Sequence, residues 1–392
     1  MKSEFITKPL SALADIQTGP FGSQLHKEDY VQSGTPIVTV EHLGKKKFTE
    51  QNLPHVSDAD KKRLSKYILR KGDVVFSRVG SVDRCSYVSD EYDGWMFSGR
   101  CLRVRPLSDI DSQYLYYYFT LESTKQFVRG IATGATMPSI NTKFMSEVPV
   151  TYPPLEEQRK IASVLSVLDN KIDLNEKINE NLLEQLHVLY SKLFCDSAMD
   201  TPLGDVVVTT SGGTPSRKHD EYYSDSSICW VKSKELIGTY IHETEEHIND
   251  LAVRNSSAKL LPEHSVLIAM YGATVGAYGV ISKPMTCNQA VCALLCNENY
   301  PYTYLFQIAC ESQQKIINLA VGSAQQNISQ VLIKQLNLHS NLDIIQTFHG
   351  LALPMHQEIE FLQAENLRLS ALRGSLLPKL MSGELDVSNL EL

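Results

Sequence analysis

At 392 residues, with 43% hydrophobic and 21% charged residues, the chain has room for two or three domains with separate cores and the composition of a globular protein. The net charge of −8 conceals an asymmetry: residues 1–152 hold twenty Lys and Arg against seventeen Asp and Glu, a net +3, while 153–200, 201–340 and 341–392 carry −4, −3 and −4. A near-neutral domain binds DNA when its cations share one face, so charge neither requires nor forbids a nucleic-acid partner. No run of about 18 apolar residues is present, so no membrane span is expected.

The N-terminal stretch "MKSEFITKPLSALADI" lacks the apolar core and small-residue cleavage site of a secretion signal. The eight cysteines are scattered, and Cys287, Cys292 and Cys296 come closest to a cluster without forming paired metal knuckles. They read as reduced thiols of a cytoplasmic protein, with no metal site.

In chain order, "PLSALADIQTGPFGS" at Pro9 is an apolar run ended by a Gly/Pro turn, and "LRKGDVVFSRVGS" at Leu69 is a turn followed by a buried strand. Helical spacing follows in "SQYLYYYFTLESTKQFVRG", then a Gly-containing stretch "ATGATMPSINTKFMSEVPV" at Ala132. Pro153 and Pro154 stop the last strand and leave Leu155–Gln158 to begin a long helix. The same order then returns at an offset of about 187–193 residues. "PLGDVVVTTSGGTPS" at Pro202, "LPEHSVLIAMYGA" at Leu261, "PYTYLFQIACESQQKIINLA" and "AVGSAQQNISQVLIKQLNL" at Ala320 match the four stretches, with Gly134 facing Gly322 and Ile140 facing Ile328. A period near 190 residues is too long for a solenoid unit, so the chain is a tandem duplication. The expected fold is α+β: two similar globular domains, residues 1–154 and 199–341, joined by long helices in 155–198 and in 342–392, the last including a C-terminal tail.

From Ile161 a 4,3 walk visits Leu165, Leu168, Ile172, Asn175, Asn179, Leu182, Leu186, Leu189 and Leu193. Adding 187 gives Phe348, Ala352, Met355, Ile359, Leu362, Asn366, Leu369, Arg373, Leu376 and Leu380. Each walk is a coiled-coil seam that must be covered, either by the other helix or by another chain; pairing with each other is the favoured reading. Chain order makes that pair antiparallel and pseudo-two-fold. Centring the seams places Asn175 opposite Asn366, a buried polar contact that fixes register. Pro354 is expected to kink or delay the second helix. His187 and His356 read as surface or interface residues. A helix of about 40 residues is ~60 Å long, or ~18 base pairs of duplex, which suits a spacer between two half-site readers.

Candidate DNA contacts in the first domain are Lys45, Lys46, Lys47, Lys61–Arg63, and the loop "FSRVGSVDR" with Ser77, Arg78, Ser81 and Arg84, plus Arg100. In the second they are Thr214, Ser216, Arg217 and Lys218 of "TSGGTPSRKH", with Tyr271, Thr274 and Tyr278 of "AMYGATVGAYG", and Asn288 and Gln289. Arg pairs with guanine edges, Asn and Gln with adenine, and hydroxyls hold phosphates. The differing loop chemistry implies two different half-sites. No catalytic residues are expected: there is no GxxxxGK[ST] loop, no GxGxxG after a strand, and no Asn/Asp-Pro-Pro-aromatic run of adenine methyltransferases.

The tandem units, the run "PPLEEQRKIASVLSVLDNKI", the opening "SGGTPSRK" and the ending "LRGSLLPKLMSGELDVSNLEL" together resemble the specificity (S) subunit of Type I restriction–modification systems, over essentially the whole chain. The resemblance implies a non-catalytic protein whose two target-recognition domains read a bipartite site on double-stranded DNA. It implies that the helix pair sets the gap and docks two methyltransferase (M) subunits, with restriction (R) subunits joining for cleavage. No cofactor is expected on this chain; S-adenosylmethionine, Mg and ATP belong to the partners. Pro354 and the eroded "LDIIQTF" facing "LEEQRKI" leave open whether the two docking ends are equivalent. The residues alone also allow a methyltransferase with its own target domain, against which the missing motifs count, and a coiled-coil adaptor without sequence-specific DNA binding.

Overall fold

The structure is a computed structural model that describes residues 5–134, 136–320 and 327–387. The Gly322 half of the Gly134 pairing and the last five residues of the tail lie outside the described residues. Two compact units divide the chain, residues 1–170 with 369–392, and residues 171–368, so each cut falls within a long helix.

In the first unit a four-stranded antiparallel sheet runs in the order Ala14–Thr18, Cys101–Pro106, Val74–Ser77, Cys85–Tyr87. The run "VVF" is continuous in sequence because the strand Val74–Ser77 is buried on both faces. Val74 and Phe76 enter one core with Tyr114 and Phe119 of the helix Ser112–Thr120, while Val75 enters a second with Val38 and Phe97. That second core lies under a small sheet ordered Tyr30–Val31, His55–Val56, Thr35–Val38, Met96–Phe97, whose last two strands are parallel. A separate pair, Ile6–Pro9 with Pro149–Tyr152, closes the unit just before the Pro153–Pro154 step.

The second unit repeats this plan. Its larger sheet is ordered Val208–Ser211, Val291–Leu295, Val266–Ala269, Tyr278–Ile281, Tyr240–Ile241, and its smaller sheet places Ile228–Val231 parallel to Thr286–Cys287. Val266 and Ile268 face the core with Tyr304 and Ile308 of the helix Tyr302–Leu319; Leu267 and Ala269 face the other side. Bonds recur one for one: Leu10 N–H to Val148 O (2.9 Å) matches Leu203 N–H to Leu336 O (2.8 Å), and Ile140 N–H to Arg78 O (3.0 Å) matches Ile328 N–H to Met270 O (2.9 Å). The short helices Thr142–Ser146 and Gln330–Lys334 are capped in turn by Asn141 and Ser329 side chains.

The long helices span Leu155–Phe194 and Leu342–Met381, 40 residues each and offset by the 187 read from the seam. The second helix is not delayed by Pro354. Pro354 and Gly350, whose carbonyl loses its helical partner, are both exposed, so water can satisfy that carbonyl and the helix continues. No position of either 4,3 walk is exposed. The ends of the seams are wider than a coiled coil, because they also cover the domains: Ile161, Ala162 and Leu165 join the first core, and Leu186, Tyr190, Phe194 and Phe348 join the second.

Each unit holds a bonded polar layer between the helices, and there the pair is antiparallel as expected. In the second unit Asn175, fully buried, donates from Nδ2 to Asn366 Oδ1 (2.8 Å) and to Glu365 (2.6 Å), while Lys171 lies 3.3 Å from Glu365. In the first unit Arg373, a polar position of the seam, donates to buried Asp169 at 2.5 Å. Asp169 also accepts from Tyr117 Oη (2.6 Å) and faces Lys46 Nζ at 3.4 Å. His356 is wholly buried rather than at a surface, bonded through Nδ1 to Tyr240 Oη at 2.9 Å.

Candidate nucleic-acid interface

In the first unit the parallel strands Thr35–Val38 and Met96–Phe97 end together, with Ser98 N–H bonded to Val38 O at 2.8 Å. Three loops meet there. The turn after Ala14–Thr18 is interlocked with the Ser98–Arg100 loop, since a Cβ on Gly19 would lie 2.1 Å from Ser98 O and one on Gly99 2.2 Å from Pro20 O. No side chain fits at either place. Between the loops an open cavity of about 770 Å³ is lined by Pro20, Phe21, Thr39, Glu41, Asn52 and Arg100, among others.

Arg78 and Arg100 are brought together: Arg78 N–H bonds Arg100 O at 2.8 Å, and Arg78 Nη1 bonds Gly99 O at 3.2 Å. The Arg78 guanidinium stands 5.8 Å from the centre of the Phe21 ring, and its Nε is buried without a hydrogen-bond partner. Ser77, by contrast, is buried and donates to Val79 O at 2.7 Å. Ser81 and Arg84 are exposed, and Arg84 donates to Leu43 O, which pins the loop bearing Lys45, Lys46 and Lys47. Lys45 is exposed, Lys47 half-buried, and Lys46 turned inward to Asp169 and Tyr117 Oη. Of Lys61–Arg63, on the helix Asp58–Arg63, Arg63 is held by Asp60 at 2.6 Å and by Gln24 O at 2.8 Å.

The second unit builds the same junction with other side chains. Asn288 N–H bonds Val231 O at 2.9 Å, and a Cβ on Gly212 would lie 2.1 Å from Cys287 O. Thr214 donates to Gln289, and Asn288 Oδ1 accepts from Ala290 N–H at 3.1 Å. Arg217 and Lys232 both donate to Glu246, and these bonds, that of Lys232 first, hold its carboxyl below the ordinary range. Arg217 also lies over the rings of Tyr223 (4.2 Å) and Trp230 (5.6 Å), whose Nε1 donates to Gly213 O at 3.0 Å. Ser216 Oγ accepts from Lys218 N–H at 3.3 Å, and both side chains are exposed. Tyr271 is 39% exposed and its carbonyl accepts from Thr274 Oγ1 at 3.1 Å; Met270 N–H to Ala290 O (2.7 Å) sets this loop beside Gln289. Tyr278 instead packs edge-on to Phe306 in the interior.

Sequence reasoning missed Phe21, Glu41, Lys232 and Glu246. Aligning the repeats along the parallel strand pair, where Thr39 and Lys232 each follow the buried Val38 and Val231, is the signal that finds Lys232. It also missed a knot in which Cys229 Sγ (3.0 Å), His247 Nε2 (2.5 Å) and Lys283 Nζ (3.1 Å) all meet Glu243. Burial opposes ionisation of Glu243, but these donors outweigh it and hold its carboxyl down to about 2. Lys283 supplies the positive charge there. Burial pushes the Cys287, Cys292 and Cys296 thiols up to about 12, consistent with unreactive packing groups.

Among the described residues, neither junction pairs a nucleophile with a base. Both present guanidinium, amide, hydroxyl and carboxylate groups on fixed loops, which is the chemistry of base edges and phosphates. A family described as "Type I restriction modification DNA specificity domain" matches residues 2–184 and 198–340. The Type I restriction enzyme MjaIX specificity subunit of Methanocaldococcus jannaschii is 24% identical, covering 98% of this chain and 94% of its own length. The HindI specificity subunit of Haemophilus influenzae is 21% identical over 86% of this chain and 92% of its own. The crystal structure of the S subunit of a Type I system from M. genitalium aligns with a TM-score of 0.62 at 15% identity, covering 97% of this chain and 96% of that one.

Proposed function

Because the chain belongs to the Type I restriction modification DNA specificity family, we propose that it reads a bipartite site on double-stranded DNA, one half with each globular unit. It is a non-catalytic specificity component. The observation that carries the two-half reading is the loop junction built twice on one backbone plan with different side chains: Phe21, Glu41, Arg78 and Arg100 in one unit, and Thr214, Arg217, Lys232 and Gln289 in the other. Identical scaffolds with unlike donors and acceptors select unlike sequences. The coiled-coil adaptor alternative is set aside, since the family's role is DNA specificity.

The paired helices set the length of the unread gap; 40 residues at 1.5 Å correspond to ~60 Å, or ~18 base pairs. Two methyltransferase subunits dock on the helices, and restriction subunits join them. Val167, Leu174 and Val188, 59%, 52% and 60% exposed, are separated by 7 and 14 residues, so they share one face of the first helix and support a docking role. S-adenosylmethionine, Mg and ATP would be handled by those partners.

Genome-wide adenine-methylation mapping with and without this gene tests the reading. Loss of one two-part motif is expected; an unchanged methylome would overturn it. Inserting matched turns in both helices is expected to change the gap and leave both half-sites as they were.

A further inference from the structure

Phe21 is 54% exposed, yet it is not on a free loop. Its carbonyl accepts from Gln24 N–H (2.8 Å) and Leu25 N–H (3.2 Å), and Leu25 is anchored in the core of the small sheet. On its other side the Gly19–Ser98 and Gly99–Pro20 approaches leave no space for a Cβ, so the turn cannot shift without moving its neighbour. A rigidly mounted, solvated aromatic ring therefore stands at the mouth of the cavity.

Beside it, Arg78 has a buried Nε with no partner. Such an orphan donor is costly in a folded protein, so the guanidinium is held here by its surroundings and not by its own bonding. The carbonyl of Gly99 orients the guanidinium through Nη1, and Arg100, exposed, follows directly. In the second unit Met270 and Ala290 take the places of Arg78 and Arg100, so neither cation recurs at this place.

We propose that Phe21 and Arg78 form the base-contacting pair of the first unit: Phe21 wedges against a base step of duplex DNA, and Arg78 donates to the base edge beside it. The inference rests on the DNA reading above and specifies how one half-site is read. Apolar side chains that enter a duplex partly unstack the step they touch, and the ring's fixed mounting means little ordering cost is added on binding.

The test uses the full chain co-assembled with its methyltransferase subunits. The site is first taken from methylation mapping, then bound by duplexes carrying 2-aminopurine at each position of each half. Wild type is expected to raise fluorescence at one step of the half read by the first unit; Phe21→Ala should lose that rise and weaken binding roughly 5- to 100-fold with an unchanged salt slope. Phe21→Trp should restore both. Arg78→Lys should relax base preference beside that step and nowhere else, while Gln289→Ala should alter only the other half. If Phe21→Ala binds, discriminates and unstacks like wild type, the pair has no such role, though the two-reader reading stands. If the wild-type complex shows no sequence preference, the reading itself fails.

Discussion

Replacing Asp169 by leucine is expected to destabilise the first unit, and replacing its partner Arg373 as well is expected to recover part of the loss. Asp169 is 4% exposed and accepts from Arg373 and Tyr117 while facing Lys46, whose side chain is 16% exposed. Removing one member of a buried ion pair costs about 3–5 kcal/mol, because the other charge stays behind unpaired. Arg373 is 41% exposed, so water screens it and the expected loss falls to about 2–3 kcal/mol. In Asp169→Leu/Arg373→Leu the Arg373 cation is gone as well, and leucine at 373 extends the apolar part of the 4,3 seam. The double variant should therefore be more stable than Asp169→Leu by about 1 kcal/mol or more. The chain has two tryptophans, Trp95 in the first unit and Trp230 in the second, so urea unfolding in a Trp230→Phe background reports on the first unit. A double variant less stable than the single one would refute the account, since it would mean Arg373 stabilises the unit without Asp169.

Two further outcomes concern the second unit and are read from Trp230. Burial pushes His356 down to about 3, with the nearby His349 and His264 adding to the effect, and it packs against Tyr240, Tyr302 and Phe306. The unfolded chain therefore takes up this proton first as pH falls below about 6.5, and stability should drop by up to about 1.4 kcal/mol per pH unit between about 6.5 and 3. His264 works oppositely: its bond to Glu360 raises its pKa, so its contribution is present below about 6.5 and lost as pH rises through the folded value. His356→Phe should flatten the acid slope of the melting temperature; an unchanged slope would assign acid lability elsewhere. Asn175→Leu removes a buried Oδ1 that has no partner and extends the apolar seam, so the urea midpoint should rise by the equivalent of about 1–2 kcal/mol, and register should become less well defined. A lowered midpoint would show that the asparagine pair is a net stabiliser.

The long helices were legible because their signal is local. A 4,3 apolar period over forty residues specifies a covered stripe whatever surrounds it, and two matched copies in one chain specify an antiparallel partner, hence Asn175 against Asn366. The strands "VVFS" and "VLIA" were equally plain, since burial on both faces leaves an unbroken apolar run. Pro354 does not delay the helix, because a proline's cost depends on whether water reaches the carbonyl it leaves unbonded, and exposure is a tertiary property. Lys46 and Arg78 look alike in sequence, each a cation near a turn. Asp169 and Tyr117 draw the first inward from two distant places in the chain, while Phe21 and Gly99 hold the second beside the loops that line the cavity. The sequence by itself determined the duplication, the helix pair and its register, all of which follow from periodicity along the chain. Only the tertiary structure decided which charges are bonded internally and which are left exposed at the loop junctions, because the parallel strand pairs that assemble each junction join segments about sixty residues apart.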